Sequence, residues 1–177
     1  MSTKEIFDGK IFSVVQKEME VNGALMWRDL VIHPGGAAIS VIVDHKILLV
    51  RQTRAGIGNV QTLEIPAGTI DAGEDPMVTA NRELNEETGC KAESLSLITA
   101  FWPTPGYDSE VIYVYQAHGV SKAEHRLAMD DTEDITLVWM DLEEAYQKIA
   151  GGEIRDGKTI LAIYHAKLQE LEAIREK

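Results

Sequence analysis

Gly68-Thr69-Ile70-Asp71-Ala72-Gly73-Glu74-Asp75-Pro76 runs through residues 77–81 into Arg82-Glu83-Leu84-Asn85-Glu86-Glu87-Thr88-Gly89-Cys90. Asp75 is a good N-cap, and Pro76 suits the first helical position. The pattern predicts a helix to about Thr88, with Gly89 as its C-terminal stop. On that helix Glu83, Glu86 and Glu87 stand at i, i+3 and i+4, so at about 100° per residue they share one face. Exposed like charges so placed repel by roughly a few tenths of a kcal/mol per pair. A helix that keeps all three points to a cation over that face. Oxygen ligands suit a hard cation, Mg²⁺ or Mn²⁺. Zinc does not fit, because the five histidines are scattered and there is one cysteine. Arg82 is the candidate counter-charge. Taken alone, the triplet reads more readily as a solvated acidic face.

The chain has 177 residues, one domain or one domain with an appendage. Its 45% hydrophobic and 26% charged residues exclude global disorder, collagen and a disulfide scaffold. No apolar run reaches the ~18 residues of a membrane span. The charge balance is 17 − 29 = −12. Such a chain is not drawn to nucleic-acid backbones or anionic membranes, so neither is an expected partner. An anionic substrate would have to be met through a cation. Cys90 has no intrachain partner, and residues 1–10 lack a signal peptide's apolar stretch. The expected location is a reducing cytoplasm.

Around the acidic helix, strands and helices alternate irregularly. Residues 10–17 and 25–33 read as strands flanking Asn22-Gly23, a hairpin dipeptide. Residues 37–43 and 47–50 read as a second pair, turning at Asp44-His45-Lys46. The runs 41–43 and 47–50 look buried on both faces. Further strands are expected near 94–101, 110–117 and 135–140, and 121–134 as a polar loop with five acidic residues. Asp141-Leu142-Glu143-Glu144 opens a helix to Ala150, and an amphipathic helix follows from about Thr159 to Ile174. The mixture argues an α/β or α+β fold with a mixed sheet.

The spacing G-x5-E-x7-R-E-L-x-E-E-x-G resembles the signature of the Nudix hydrolases. Gly68, Glu74, Arg82, Glu83, Leu84, Glu86, Glu87 and Gly89 all match it. Cys90 departs from the family's aliphatic residue but behaves as a small hydrophobe. The resemblance implies an α/β/α sandwich with a mixed sheet and a loop-helix-loop catalytic element. It implies hydrolysis of a nucleoside diphosphate linked to another moiety, using two or three Mg²⁺ or Mn²⁺ ions. It implies Glu83 and Glu87 as principal metal ligands and Glu86 as a shared ligand or catalytic base. The carbonyl of Ala67 is a further ligand. Gly68 would let the backbone approach metal and phosphates, and Glu74 and Arg82 would fix loop to helix.

Two features resemble the ADP-ribose and nucleoside diphosphate sugar hydrolases within that family. Pro105 lies 16 residues after Gly89, within Thr104-Pro105-Gly106-Tyr107. Arg51-Gln52-Thr53-Arg54 precedes Leu63-Glu64-Ile65-Pro66-Ala67-Gly68, and Arg54 would contact a phosphate through its guanidinium fork. The bland readings are a Pro-Gly turn and a surface ion pair. By the same resemblance, residues 1–35 would be an antiparallel sheet that builds a homodimer, ahead of a hydrolase domain at 36–177. Trp27 would stack on the base beside Arg28, whereas Phe12 reads as core or dimer contact. Trp102 and Trp139 read as core. The general base is expected in a loop beyond the signature, at Glu133, with Glu110 in reserve. GDP-mannose or another sugar nucleotide is an alternative substrate. A catalytically silent nucleotide sensor is a further one, weakened by the complete carboxylate set.

Overall fold

The computed structural model describes residues 1–128 and 134–175. Three antiparallel strands come first: β1 (Thr3–Asp8), β2 (Ser13–Val21) and β3 (Ala24–Ile32). Asn22 (φ 53°) and Gly23 (φ 79°) are both left-handed, which gives the tight turn between β2 and β3 and pairs Val21 with Ala24. The hairpin is where the sequence places it. Its first arm starts later than residue 10, and β1 was not foreseen.

The second sheet has the order β10-β11-β4-β8, from β4 (Gly36–Ser40), β8 (Ala67–Thr69), β10 (Ser94–Phe101) and β11 (Ile112–His118). β4 runs parallel to β11 and antiparallel to β8. The third sheet joins β5 (Ile42–Val43), β6 (Lys46–Arg54), β7 (Val60–Glu64) and β13 (Thr136–Asp141), with β6 pairing all three others. A two-stranded ribbon of β9 (Cys90–Lys91) and β12 (Ser121–Lys122) completes the strands among the described residues. The expected single strand over 37–43 is therefore corrected: residues 36–40 belong to the second sheet, and only Ile42–Val43 pairs back onto β6. Val43 is exposed, whereas Ile47, Leu48, Leu49 and Val50 are buried on both faces.

The helices are α1 (Pro76–Thr88), α2 (Leu142–Ala150) and α3 (Gly157–Arg175). β4 explains the layering, because successive residues on a strand face opposite sides. Ala37, Ile39 and Val41 share a core with Ala80 and Leu84 of α1. Ala38 shares one with Ala145 of α2 and Ala162 and Ile163 of α3. The result is an α/β/α sandwich with mixed sheets and a small N-terminal antiparallel sheet. Trp102 and Trp139 depart from expectation: they are 66% and 46% exposed. Trp102 sits just beyond β10, and Trp139 is on β13, which among the described residues has a partner on one edge only. No helix among the described residues is long and apolar enough to cross a membrane.

Candidate active site

α1 has the predicted ends. Asp75 accepts the Met77 N–H at 2.8 Å, Pro76 opens the helix, and Gly89 (φ 68°) closes it by donating to the Asn85 carbonyl. Its first half packs on β4, and its carboxylate face meets β8. Glu83 and Glu87 are buried there, and Glu86 lies at the rim. Glu87 Oε2 accepts the Ala67 N–H at 3.1 Å. Glu83 lies so close over Gly68 that a Cβ there would sit 1.9 Å from its Oε1. The backbone of Ala67 and Gly68 therefore lies directly under Glu87 and Glu83.

Arg82 joins the preceding loop to the helix. It donates to Glu74, to the Thr69 carbonyl at 3.2 Å, and through Nη1 to Glu83 at 2.7 Å and Glu86 at 2.8 Å. Burial works against its charge, but hydrogen bonds to Glu74 and the charge of Glu83 more than offset this and raise its pKa. Glu74 is held below the usual carboxylate range by its hydrogen bonds from Arg82 and then Thr79. One guanidinium thus faces four carboxylates, those of Asp71, Glu74, Glu83 and Glu86.

That donor set, hard oxygen ligands in charge excess over a glycine floor, fits a divalent cation such as Mg²⁺. Among the described residues no three His, Cys, Asp or Glu side chains converge into a finished metal cage. Arg82 Nη1 lies between Glu83 and Glu86 instead.

Arg54, at the end of β6, presents one edge of its guanidinium to Glu64. Nε reaches Oε1 at 2.8 Å and Nη2 reaches Oε2 at 2.6 Å. The hydrogen bond to Glu64 is the main cause of a raised Arg54 pKa, with Glu87 a smaller electrostatic contributor. The ion pair that the sequence allowed is thus present, but with a carboxylate only 3% exposed. Nη1 makes no hydrogen bond to the described residues.

Pro105 and Gly106 lie in a turn whose Thr104 carbonyl accepts the N–H groups of Tyr107 and Asp108. The turn is tied to β3: Val31 N–H donates to the Tyr107 carbonyl, Ser109 N–H to Val31, and His33 N–H to Ser109 Oγ. The N-terminal sheet and the Pro-Gly turn are therefore joined by three hydrogen bonds. Space beside Gly106 is open. Trp27 is 51% exposed on β3. Neither it nor Arg28 bonds to the acidic helix among the described residues. Glu110 Oε1 lies 3.5 Å from His33 Nδ1, which accepts the Gly35 N–H, and Glu110, Ile112 and the Gly68 carbonyl all border Gly36. Glu133 lies outside the described residues. Sequence reasoning missed Glu64 and Lys158, whose Nζ is 2.5 Å from Glu64 Oε2. Nothing in their spacing, 94 residues apart, links them.

The NUDIX domain family profile matches residues 33–162. The chain belongs to the NUDIX domain family. It is 38% identical over 172 residues to the methanol dehydrogenase activator of Bacillus methanolicus, covering 96% of this chain and 92% of that one. It is 36% identical to the ADP-ribose pyrophosphatase of Bacillus subtilis (strain 168), with the same coverage. The GDP-mannose pyrophosphatase of Cronobacter sakazakii is 29% identical, covering 80% of this chain and 78% of that one. A solved structure titled as an ADP compounds hydrolase superposes with a TM-score of 0.81 at 22% identity, covering 97% and 94% of the two chains. That likeness shows the fold.

Proposed function

We propose that this NUDIX protein hydrolyses the diphosphate of ADP-ribose or a related nucleoside diphosphate sugar. The products are a nucleoside monophosphate and a sugar phosphate. The observation that carries the reading is the complete carboxylate set, with Glu83 and Glu87 seated on the Ala67–Gly68 backbone and Glu86 at the rim. A relative named ADP-ribose pyrophosphatase, matched over almost the whole chain, supports the substrate class. GDP-mannose is the second reading, favoured by the name of a more distant relative.

Glu83, Glu87 and the Ala67 carbonyl would hold two or three Mg²⁺ or Mn²⁺ ions, with Glu86 as shared ligand or base. Bound there, such ions neutralise the diphosphate and lower the pKa of water. The reaction is attack of a water oxygen on phosphorus as the bridging P–O bond breaks. Arg54 turns Nη1 toward a phosphate oxygen, an orientation that its Glu64 pair fixes. Pro105 and Gly106 shape the wall beside the sugar, and Trp27 with Arg28 takes the base. Glu133 accepts the water's proton, and an ionised carboxylate is able to do so at neutral pH. Glu110 is the alternative, supported by its position beside Gly36, which the Gly68 carbonyl also borders.

Residues 1–35 form the dimerisation piece, and 36–177 the hydrolase domain. Support comes from β3, where the consecutive residues Leu25, Met26 and Trp27 are all exposed, leaving apolar side chains on both faces of the strand without cover. The protein works in the cytoplasm. The test is a Mg²⁺-dependent hydrolysis screen of ADP-ribose, ADP-glucose, GDP-mannose, diadenosine polyphosphates and dGTP, with products read by mass. AMP plus ribose 5-phosphate as the fastest reaction supports the proposal. A faster GDP-mannose reaction favours the second reading. Tight ADP-ribose binding without turnover of anything makes the protein a sensor.

A further inference from the structure

Glu64 is an acidic side chain in the protein interior that none of the foregoing chemistry uses directly. Four donors surround its carboxylate: Arg54 Nε and Nη2, Thr62 Oγ1 at 2.7 Å, and Lys158 Nζ at 2.5 Å. Lys158 is itself buried, on the first turn of α3, and also donates to Asp156 Oδ1 at 2.9 Å. Burying a lysine is costly unless its charge is used. Its neighbour Thr159 accepts the Ile65 N–H at 2.8 Å and donates to Asp156 Oδ2 at 2.5 Å. One turn of α3 therefore grips both Glu64 and Ile65, just ahead of the Ala67–Gly68 floor.

We propose that Lys158 is a positioning residue that aims Arg54 at the substrate diphosphate through Glu64. A buried carboxylate held by Arg54 alone would be free to turn with it. With Lys158 on Oε2, Glu64 is shared between two cations. Arg54 keeps its orientation, with Nε and Nη2 held by Glu64 and Nη1 left for another acceptor. Asp156 balances the charge of Lys158, so what the lysine supplies is orientation of Arg54, whose side chain is 43% accessible. Asp156 fixes Lys158 from the opposite side, so the geometry is set by the cap of α3. This rests on the reading of Arg54 as a phosphate ligand.

The experiment compares the wild type with Arg54→Ala, Lys158→Met, Lys158→Arg and the double variant Arg54→Ala/Lys158→Met, using the best substrate of the screen. Lys158→Gln, which retains one hydrogen bond but no charge, replaces Lys158→Met if that variant unfolds. Each is measured for kcat, KM and melting temperature. Losing a charge-assisted contact predicts that Arg54→Ala raises KM by roughly tenfold or more, and Lys158→Met by about tenfold. Lys158→Arg restores most of the loss. In the Arg54→Ala background the lysine change adds less than about threefold to KM, the signature of action through one partner. An unchanged KM in Lys158→Met, or an undiminished penalty in the double variant, overturns the proposal. A wild-type KM in Arg54→Ala refutes the phosphate role of Arg54 and the proposal together. Absence of turnover by the wild type refutes the proposed function itself.

Discussion

Replacing Gly68 with alanine tests the site most directly. Gly68 does not have a positive φ, so alanine strains no backbone there. The obstacle is steric: the new Cβ would stand 1.9 Å from Glu83 Oε1 and 2.1 Å from its Cδ. Ordinary contact needs about 3.4 Å, so the carboxylate must retreat by roughly 1.5 Å. Side-chain rotation absorbs that movement, at the expense of its hydrogen bond with Arg82 and about 1–3 kcal/mol of stability. The fold survives. In the role proposed for Glu83, a Mg²⁺ ligand would not tolerate such a shift, because Mg–O bonds of about 2.0–2.1 Å sit in a demanding octahedron. A misplacement on the order of 1 Å costs about 100-fold in rate. Gly68→Ala is therefore expected to lose about 100-fold or more in kcat/KM and to need more Mg²⁺ for half-maximal activity. The assay is initial-rate hydrolysis of ADP-ribose over a Mg²⁺ titration, with circular dichroism melting as the control for folding. Activity within about threefold of wild type at the same Mg²⁺ requirement would refute the reasoning that this contact sets the ligand's position.

Glu87→Gln removes a charge but retains an acceptor for the Ala67 N–H, so turnover should vanish while the fold stays; normal turnover would sink the metal assignment. Thr159→Val leaves the buried Ile65 N–H without its acceptor, which should cost about 1–3 kcal/mol and several degrees in melting temperature; an unchanged melt would mean that α3 does not anchor this strand. Burial pushes Glu64 upward, but Arg54 and Lys158 hold its pKa at about 2 against an ordinary 4.5. Its contribution is therefore full above about pH 4.5 and lost as pH falls toward 2. The stability gap between wild type and Glu64→Gln, read by urea unfolding, should shrink over that window, and a gap that is constant with pH would refute it. Sedimentation should find a dimer that Leu25→Glu/Met26→Lys converts to monomer; a wild type that is monomeric at micromolar concentration would remove the dimer proposal.

The acidic helix was legible from sequence because its determinants are local. Asp75, Pro76 and Gly89 act within a turn of where they stand, and the periodicity that aligns Glu83, Glu86 and Glu87 is a property of any helix. The Asn22-Gly23 hairpin and the caps of α2 were readable for the same reason. Strand pairing was not. Residues 36–43 look like one apolar run, yet the chain divides them between two sheets. The choice depends on β11, which lies more than 70 residues away. Apolarity also misplaced Trp102, in the loop after β10, and Trp139, on an edge strand where an aromatic faces outward as readily as inward.

The local code of the chain determined the helix that carries the carboxylates and the family to which it belongs. The tertiary structure alone decided what stands over and behind them: Gly68 against Glu83, and Lys158 behind Glu64 and Arg54. Helical phase is written into each few residues by backbone geometry. Contacts between groups 15 or 94 positions apart are written nowhere until the sheets have packed and brought α1 and α3 to opposite faces of β4.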